Sequence, residues 1–206
     1  MYLPRAYKEE DVNRLIQFIK KYSFGLLFSQ SEEGPFSTHL PFIVDETRPE
    51  KAILLSHMAK ANPHWKNIND QDVLVVFTGP HAYITPTWYQ EENTVPTWNY
   101  TAVSVYGRVH IKQESCEKKE ILERTTDFYE ASQTSPWKVD FNDPVMEALT
   151  NGVVGIEIEI KKLEGKWKLN QNHSRERQQR VIAGLKTRKD DDSQEIARLM
   201  EENLIK

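Results

Sequence analysis

The residues with the clearest chemical potential lie between an apolar run and a proline in the first third of the chain. Residues 53–55 predict a strand, and Asn62 followed by Pro63 predicts a helix start, because asparagine is a favoured N-cap and proline suits the first helical position. Free backbone N–H groups and the helix dipole favour negative charge there. A phosphate-bearing ligand is one interpretation, and an ordinary strand–turn–helix with a solvated lysine is the other. The candidate ligand-binding residues are Ser56, His57, Met58, Ala59, Lys60 and Asn62.

Histidine side chains suggest two further kinds of site. His39 lies beside Pro41, which interrupts a predicted strand, and it could hydrogen-bond a ligand or donate a proton. The alternative is a half-buried histidine that satisfies backbone groups. A metal site formed by His57, His64 and His81 lacks an acidic residue at a suitable spacing, so no metal is predicted.

Large aromatic residues alternate with prolines and small hydroxyl residues in the segments 79–89 and 95–100. Such a mixture suits a wall on which a flat ring stacks, while the polar groups recognise its edge. A dimer interface is the alternative, because tryptophan and tyrosine are enriched at interfaces. Both interpretations hold if the ligand lies between two subunits. The candidate residues here are Trp98, Asn99 and Tyr100.

The segment 165–174 places two lysines, an indole and several amides just before a predicted helix. Lys168 and Gln171 could close over an anion or a ring from this segment. A solvent-facing strand end followed by a capped helix explains the same residues.

Several common catalytic and nucleotide-binding motifs do not occur. The sequence has no Gly-x-Ser-x-Gly, no Gly-x-Gly-x-x-Gly and no Walker-type loop, and Cys116 lies at the start of a predicted helix. These observations give no support to a serine or cysteine nucleophile, a Rossmann dinucleotide site or a P-loop. A single cysteine also cannot form an internal disulfide.

The composition of the 206 residues, with 38% hydrophobic and 28% charged side chains, is typical of a soluble globular protein. No apolar run approaches the length of a membrane span and no signal peptide is evident, so a cytoplasmic protein without membrane contact is expected. The net charge is −4, but residues 161–189 carry ten Lys and Arg against two acids. This basic stretch could contact DNA phosphates through Arg175, Arg177 and Arg180, although arginines on a helix are commonly a solvated face.

The elements that must position these residues follow from hydrophobic periodicity and turn signals. The order of helices and short strands predicts an α+β protein with an antiparallel sheet or small barrel. A turn over 32–35 joins two strands in a hairpin. The predicted helices cover 9–22, 63–69, 115–131 (capped by Ser115), 174–185 and 193–204, with a loop at 189–192; the predicted strands cover 22–29, 36–44, 52–56, 73–77, 82–85, 97–111 and 153–160.

The sequence resembles the PaiB-type regulators, a family with an FMN-binding split-barrel fold. Six segments in the same order carry the resemblance over nearly the whole chain: Tyr2-Leu3-Pro4, Thr38-His39-Leu40-Pro41-Phe42, His57-Met58-Ala59-Lys60-Ala61-Asn62-Pro63-His64-Trp65, Gly79-Pro80-His81-Ala82-Tyr83-Ile84, Val95-Pro96-Thr97-Trp98-Asn99-Tyr100 and Gly165-Lys166-Trp167-Lys168-Leu169-Asn170-Gln171-Asn172. Three positions depart from the expected pattern: Lys60 stands where arginine is expected, Ser104 where histidine is expected, and Asn170 where serine or threonine is expected.

The resemblance implies a homodimer of split β-barrels that binds FMN between subunits, with the phosphate near Ser56–Asn62. It also implies negative regulation of protease production and sporulation. Residues 1–170 would form the FMN-binding domain, and 171–206 a helical extension packed on the barrel or on the partner subunit. Since the sequence offers no clear proton-transfer pair, a non-catalytic regulator is preferred, and a flavin-dependent oxidoreductase on the same scaffold is the alternative.

Overall fold

The computed structural model describes residues 1–32, 34–47 and 52–205. The chain divides into two units. The terminal unit contains residues 1–11, 78–103 and the chain from Glu164 onward, and the central unit contains 12–77 and 104–163. The predicted division into 1–170 and 171–206 remains a prediction.

Eight strands form one sheet. Their order is β3–β2–β6–β7–β8–β5–β4, with β1 paired to β8, and the β1–β8, β2–β3, β2–β6, β4–β5 and β5–β8 pairs are antiparallel. Strands β6, β7 and β8 each contribute residues to both units. The strands are β1 (Lys8–Glu9), β2 (Phe24–Ser31), β3 (Gly34–Pro41), β4 (Ile43–Asp45), β5 (Ile53–Ala59), β6 (Asp72–Ile84), β7 (Thr97–Lys112) and β8 (Val153–Lys168).

Five α-helices and three short 3₁₀ turns complete the described chain. The helices are α1 (Val12–Lys21), α2 (Ser115–Glu130), α3 (Pro144–Asn151), α4 (Arg175–Lys186) and α5 (Asp191–Ile205). The 3₁₀ turns cover Arg5–Tyr7, Pro63–Asn67 and Pro86–Tyr89.

The predicted hairpin is the pair β2–β3, in register from Phe24↔Pro41 to Ser31↔Gly34. Part of its predicted turn, Glu33, lies outside the described residues. The core of the central unit is built from the alternating apolar positions of these and the following strands, as the periodicity predicts. Its fully buried side chains include Leu27, Phe42, Leu54, Val75, Phe77, Ile156 and Ile158.

Two predicted strand boundaries are wrong. β6 runs without a break through Gly79-Pro80-His81, where the sequence predicts an interruption. Its pairing with β2 covers Leu74–Val76 and ends before Pro80, and proline is tolerated where a strand lacks that neighbour. β8 extends to Lys168, eight residues beyond the predicted end of this strand and into the basic stretch. Strand β1, which is not predicted from the sequence, pairs with β8 at Gly165 and Lys166.

The helix predictions need four corrections. The segment after Asn62 is a single 3₁₀ turn, shorter than the predicted helix. The N-cap of α2 is Glu114, not Ser115, and α5 begins at Asp191 within the predicted loop. Helix α3 was not predicted, although Asp143 followed by Pro144 is the same cap signal that Asn62 and Pro63 give.

Candidate functional site

The segment from Ser56 to Asn62 leads from the end of β5 into the 3₁₀ turn at Pro63, within the central unit. The Asn62 side chain accepts a hydrogen bond from the backbone N–H of His64 at 3.0 Å, which confirms the predicted N-cap. The backbone N–H of Asn62 donates to the carbonyl of Ala59 at 2.9 Å. The chain therefore makes a defined tight turn where an anion site is predicted.

Two of the predicted ligand residues in this segment point into the core. Ser56 is fully buried, and its hydroxyl donates to the carbonyl of Pro41 at 2.7 Å. Met58 is 2% exposed. Since alternate residues of a strand face opposite sides, these two side chains anchor β5, while His57 and Ala59 lie on its other face.

Lys60 has a fixed backbone and an exposed side chain. Its N–H donates to the carbonyl of Gly152 at 2.8 Å, and its own carbonyl accepts from the Trp65 indole at 3.0 Å. Within the described residues, its ammonium group has no acidic partner. The structure thus holds a cation available to a ligand at the predicted position.

His57 contributes a buried, unsatisfied polar atom. Its Nδ1 has no hydrogen-bond partner in the part of the chain that the structure describes. Burial lowers the pKa of His57, so its imidazole is neutral at neutral pH. A neutral imidazole carries one N–H that can donate to an oxygen atom. A neutral imidazole and a lysine that lacks an acidic partner among the described residues are groups of the kind that bind a phosphate.

His39 is placed differently from the residues of the turn. Its neighbour Thr38 accepts a hydrogen bond from the Asn62 amide at 3.2 Å, so His39 lies on the opposite face of β3. Its ring stacks on Phe24, with centroids 5.8 Å apart and planes 20° apart. Both are exposed, so this pair forms an aromatic surface of the hairpin.

The terminal unit brings Lys168 and Trp98 together. The Lys168 ammonium donates to the carbonyl of Trp98 at 2.8 Å and also to the hydroxyl of Thr97. Burial, with a smaller contribution from the charge of Lys166, lowers the pKa of Lys168. The Trp98 ring is half exposed and lies near His81 and Tyr83, with centroids 5.8 and 5.9 Å away.

The remaining predicted residues of the terminal unit have other environments. Asn99 is fully buried, with its amide nitrogen 3.4 Å from the Met200 sulfur. Tyr100 lies on the same face of β7 as Trp98, and the Lys166 ammonium is 5.3 Å from its ring centre. Gln171 accepts from the N–H of Leu169 at 2.7 Å, and its side-chain contacts close the turn after β8.

The arginines of the basic stretch have partners inside the terminal unit. Arg177 and Arg180 pair with Glu91, and Arg175 donates to the carbonyl of Leu204. Arg188 lies over the Trp88 ring. These contacts give the arginines a structural role, and contact of the stretch with DNA remains a prediction.

His64 is the centre of a hydrogen-bonded network that is not predicted from the sequence. This histidine is 4% exposed, and its two ring nitrogens lie 2.8 Å from the hydroxyls of Ser29 and Thr38. From the sequence, the role considered for the His64 side chain is that of a metal ligand. The Asn-Pro-His spacing could have indicated a capped turn with a buried imidazole, but Ser29 and Thr38 are distant in sequence. No group of metal-ligating side chains occurs within the described ranges.

Comparison with known proteins identifies the family. Residues 1–162 match the family model described as "Putative FMN-binding domain". The chain belongs to this FMN-binding family. The resemblance stated from the sequence is confirmed by a relative in Bacillus subtilis, the protease synthase and sporulation protein PAI 2, which is 34% identical over 100% of this chain and 99% of its own length. An uncharacterized protein of Emericella nidulans is 30% identical and covers 98% of this chain and 97% of its own.

Solved structures confirm the fold. The FAD and heme binding protein from Mycobacterium smegmatis has a TM-score of 0.62 at 12% identity, covering 86% of this chain and 80% of its own. The flavocytochrome Anf3 from Azotobacter vinelandii has a TM-score of 0.61 at 14% identity, and the match covers 80% of this chain and 72% of that protein. The predicted α+β split-barrel fold is therefore correct.

Membership of the FMN-binding family supports FMN as the cofactor, in agreement with the sequence prediction. Binding of its phosphate group by His57 and Lys60 remains a prediction. Among the helices of the described residues, none has the length and apolar character needed to cross a membrane.

Proposed function

We propose that this protein is a non-catalytic, FMN-binding regulator of the PaiB type that acts as a homodimer. The observation that carries the proposal is the 34% identity to PAI 2, which extends over the whole length of both chains. That relative is named for protease synthesis and sporulation. The proposed role is negative regulation of the genes that control these processes.

Lys60 and His57 hold the FMN phosphate in this proposal. The ammonium of Lys60 supplies the charge, and the imidazole of His57 donates a hydrogen bond through its proton. The backbone of Lys60 is fixed by hydrogen bonds to Gly152 and Trp65, so its side chain begins from a defined position in the turn. Asn62 stabilises the turn through its cap and leaves the phosphate contact to the other two residues.

Trp98 and Tyr100 supply the aromatic surface for ring stacking or for the partner subunit. Both lie on one face of β7, and the half-exposed Trp98 ring has aromatic neighbours on one side. Lys168 holds the backbone beneath this surface. Ser56 and Met58, which point inward, support the turn at Lys60 in the central unit, and the buried Asn99 supports β7 in the terminal unit.

Bound FMN would supply reversible electron and hydride transfer. The residues of this chain bind the phosphate and shield the ring, and the proposal assigns none of them a proton-transfer role. Oxidation of NADH by the FMN-loaded protein at enzymatic rates would contradict a purely regulatory function and favour the flavin-dependent oxidoreductase.

Complementation tests the regulatory role directly. The chain is expressed in a Bacillus subtilis strain lacking PAI 2, and extracellular protease and spore counts are measured. We expect both to return toward wild-type levels, and we expect the Lys60→Gln variant, which binds FMN more weakly, to restore them less. No change with the wild-type chain at matched expression would contradict the proposed role. Light scattering on a sizing column tests the dimer, and a mass of one chain would contradict it.

DNA contact is a separate question within this proposal. The affinity for promoter DNA is measured against salt concentration, because phosphate contacts give a steep dependence. A slope near zero would mean that regulation does not use the basic stretch. The internal partners of Arg175, Arg177 and Arg180 are consistent with regulation through a protein or ligand.

A further inference from the structure

A second candidate ligand site lies in the central unit, apart from the residues assigned to the phosphate. A groove of about 880 Å³ opens between the end of the β2–β3 hairpin and the 3₁₀ turn that follows Asn62. This volume is in the range of small-molecule sites. The lining residues that matter here are Ser29, Gln30, Phe36, His64, Asn67 and Gln71.

The direction of the hydrogen bonds beside this groove is set by the N-cap. The Asn62 side-chain oxygen accepts from the backbone N–H of His64 at 3.0 Å, so its amide nitrogen is the atom that faces Thr38. An amide nitrogen only donates. The hydroxyl oxygen of Thr38 therefore accepts a hydrogen bond from Asn62.

The proton of the Thr38 hydroxyl then needs an acceptor. In the ranges 1–32, 34–47 and 52–205, its available acceptor is His64 Nδ1, 2.8 Å away. If Nδ1 carried the imidazole proton instead, the Thr38 hydroxyl would have no acceptor among the residues of these ranges. Burial lowers the pKa of His64, so the ring is neutral and carries a single proton. Complete hydrogen bonding places that proton on Nε2.

This tautomer determines what Ser29 presents to the groove. With its proton on Nε2, His64 donates to the Ser29 hydroxyl oxygen, 2.8 Å away. The hydroxyl proton of Ser29 remains for a ligand, and His64 cannot act as a base toward Ser29. The series of hydrogen bonds thus ends in the Ser29 hydroxyl, which can donate to an acceptor on a ligand; it begins at Asn62 and passes through Thr38 and His64. Because His64 cannot take the Ser29 proton, the pair does not form a serine–histidine nucleophile.

The other walls of the groove specify the rest of the ligand. Phe36 is 40% exposed and its ring centre lies 4.7 Å from that of His64, which gives an aromatic surface. Gln30, Asn67 and Gln71 add side-chain amides. Among the described lining residues, Glu32 carries a charge, and its carboxylate disfavours anionic ligands.

We propose that this groove binds an uncharged, planar aromatic ring that carries a lactam or carboxamide group, with Ser29 donating to its carbonyl. Such a ring can come from a separate small molecule of the nicotinamide or uracil type, or from the pyrimidine-dione edge of a flavin. The proposal does not rest on the assignment of the FMN phosphate to Lys60.

NMR on the full-length protein tests both parts of the proposal. Long-range proton–nitrogen correlations should place the His64 proton on Nε2. Titration with nicotinamide should shift the side-chain amide signals of Gln30, Asn67 and Gln71, whereas nicotinate should not. A proton on Nδ1, or equal responses to nicotinamide and nicotinate, would overturn the proposal.

Two variants and one control make the test independent of folding. Ser29→Ala should weaken nicotinamide binding about threefold to tenfold, the loss of one hydrogen bond. Phe36→Leu should weaken it as well, and Ser37→Ala, which leaves the groove lining intact, should not. Unchanged binding in the first two variants, with wild-type spectra elsewhere, contradicts the proposed site. The titration is repeated with FMN-saturated protein: persistent shifts identify a separate ligand, and their loss identifies the flavin edge, both within the proposed class.

Discussion

The guanidinium carbon of Arg177 lies 3.7 Å from the ring centre of Tyr89, a fully buried tyrosine of the terminal unit. A nitrogen of the same guanidinium is 3.4 Å from the carboxylate of Glu91, which Arg180 also contacts. Cation–π contacts stabilise by about 2 kcal/mol when they are shielded from water. The arginines of α4 therefore stabilise its packing against the 86–91 segment.

Replacement of this arginine tests its structural role. Arg177→Ala should lower the free energy of unfolding by about 2 kcal/mol, measured by urea denaturation with tryptophan fluorescence. Arg177→Lys should lower the free energy of unfolding by a smaller amount, because lysine keeps the charge but cannot stack a planar group. Lys189→Ala, at an exposed site of the same basic stretch, should stay within about 0.5 kcal/mol of the wild type. Equal stability of the Arg177→Ala and Lys189→Ala variants would contradict the assignment.

A paired carboxylate in the central unit predicts a pH dependence. Arg124 contacts the buried carboxylate of Asp45 through two nitrogens, at 2.8 and 3.1 Å, and Thr47 adds two further hydrogen bonds. The hydrogen bond from Arg124, followed by those from Thr47, holds the pKa of Asp45 well below its usual range against the effect of burial. Arg124→Ala should lower the free energy of unfolding by about 2 kcal/mol at pH 7.

The sign of the pH effect follows from the lowered pKa. The contribution of Asp45 is fully present above its unfolded pKa of about 3.9 and declines as the pH falls toward the folded value. The stability difference between wild type and Arg124→Ala should therefore shrink between pH 7 and about pH 3. Urea titrations at both pH values measure it, and a difference that grows at low pH would refute the ion pair.

Gly184 in α4 is required by a close approach. A Cβ at this position would lie 2.3 Å from the Trp88 ring. Glycine to alanine ordinarily stabilises a helix interior by about 1 kcal/mol, but Gly184→Ala should destabilise the protein and shift the Trp88 fluorescence. Ala183→Gly, at the exposed neighbouring position, should lower the free energy of unfolding by about 1 kcal/mol and leave the Trp88 fluorescence unchanged. A rise in stability for Gly184→Ala would show that the contact is not tight.

Local signals predicted much of the fold. The first helix, the N-cap at Asn62, the helix after residue 174 and the strand over 97–111 depend on neighbours within a few residues, and each is confirmed. The missed features depend on distant partners. β8 continues through the basic residues because β1 pairs with it, and no pattern near Lys166 indicates that partner.

In the candidate site too, some features follow from the local sequence and others depend on distant residues. The spacing around Lys60 located a tight turn with an available cation, and a single segment contains that information. The inward orientation of Ser56 depends on the carbonyl of Pro41, which belongs to another strand. The His64 network requires Ser29 and Thr38, from both strands of the hairpin, and only the folded chain brings them together.

Flavin titration of a Lys60 variant tests the central claim most directly. Binding of FMN and of riboflavin, which lacks the phosphate, is measured for the wild type, Lys60→Gln and the control Lys66→Gln. We predict that Lys60→Gln weakens FMN binding about tenfold, the loss of a charge-assisted contact, and leaves riboflavin binding and the Lys66→Gln control unchanged. Equal FMN affinity in the wild type and Lys60→Gln would contradict the account.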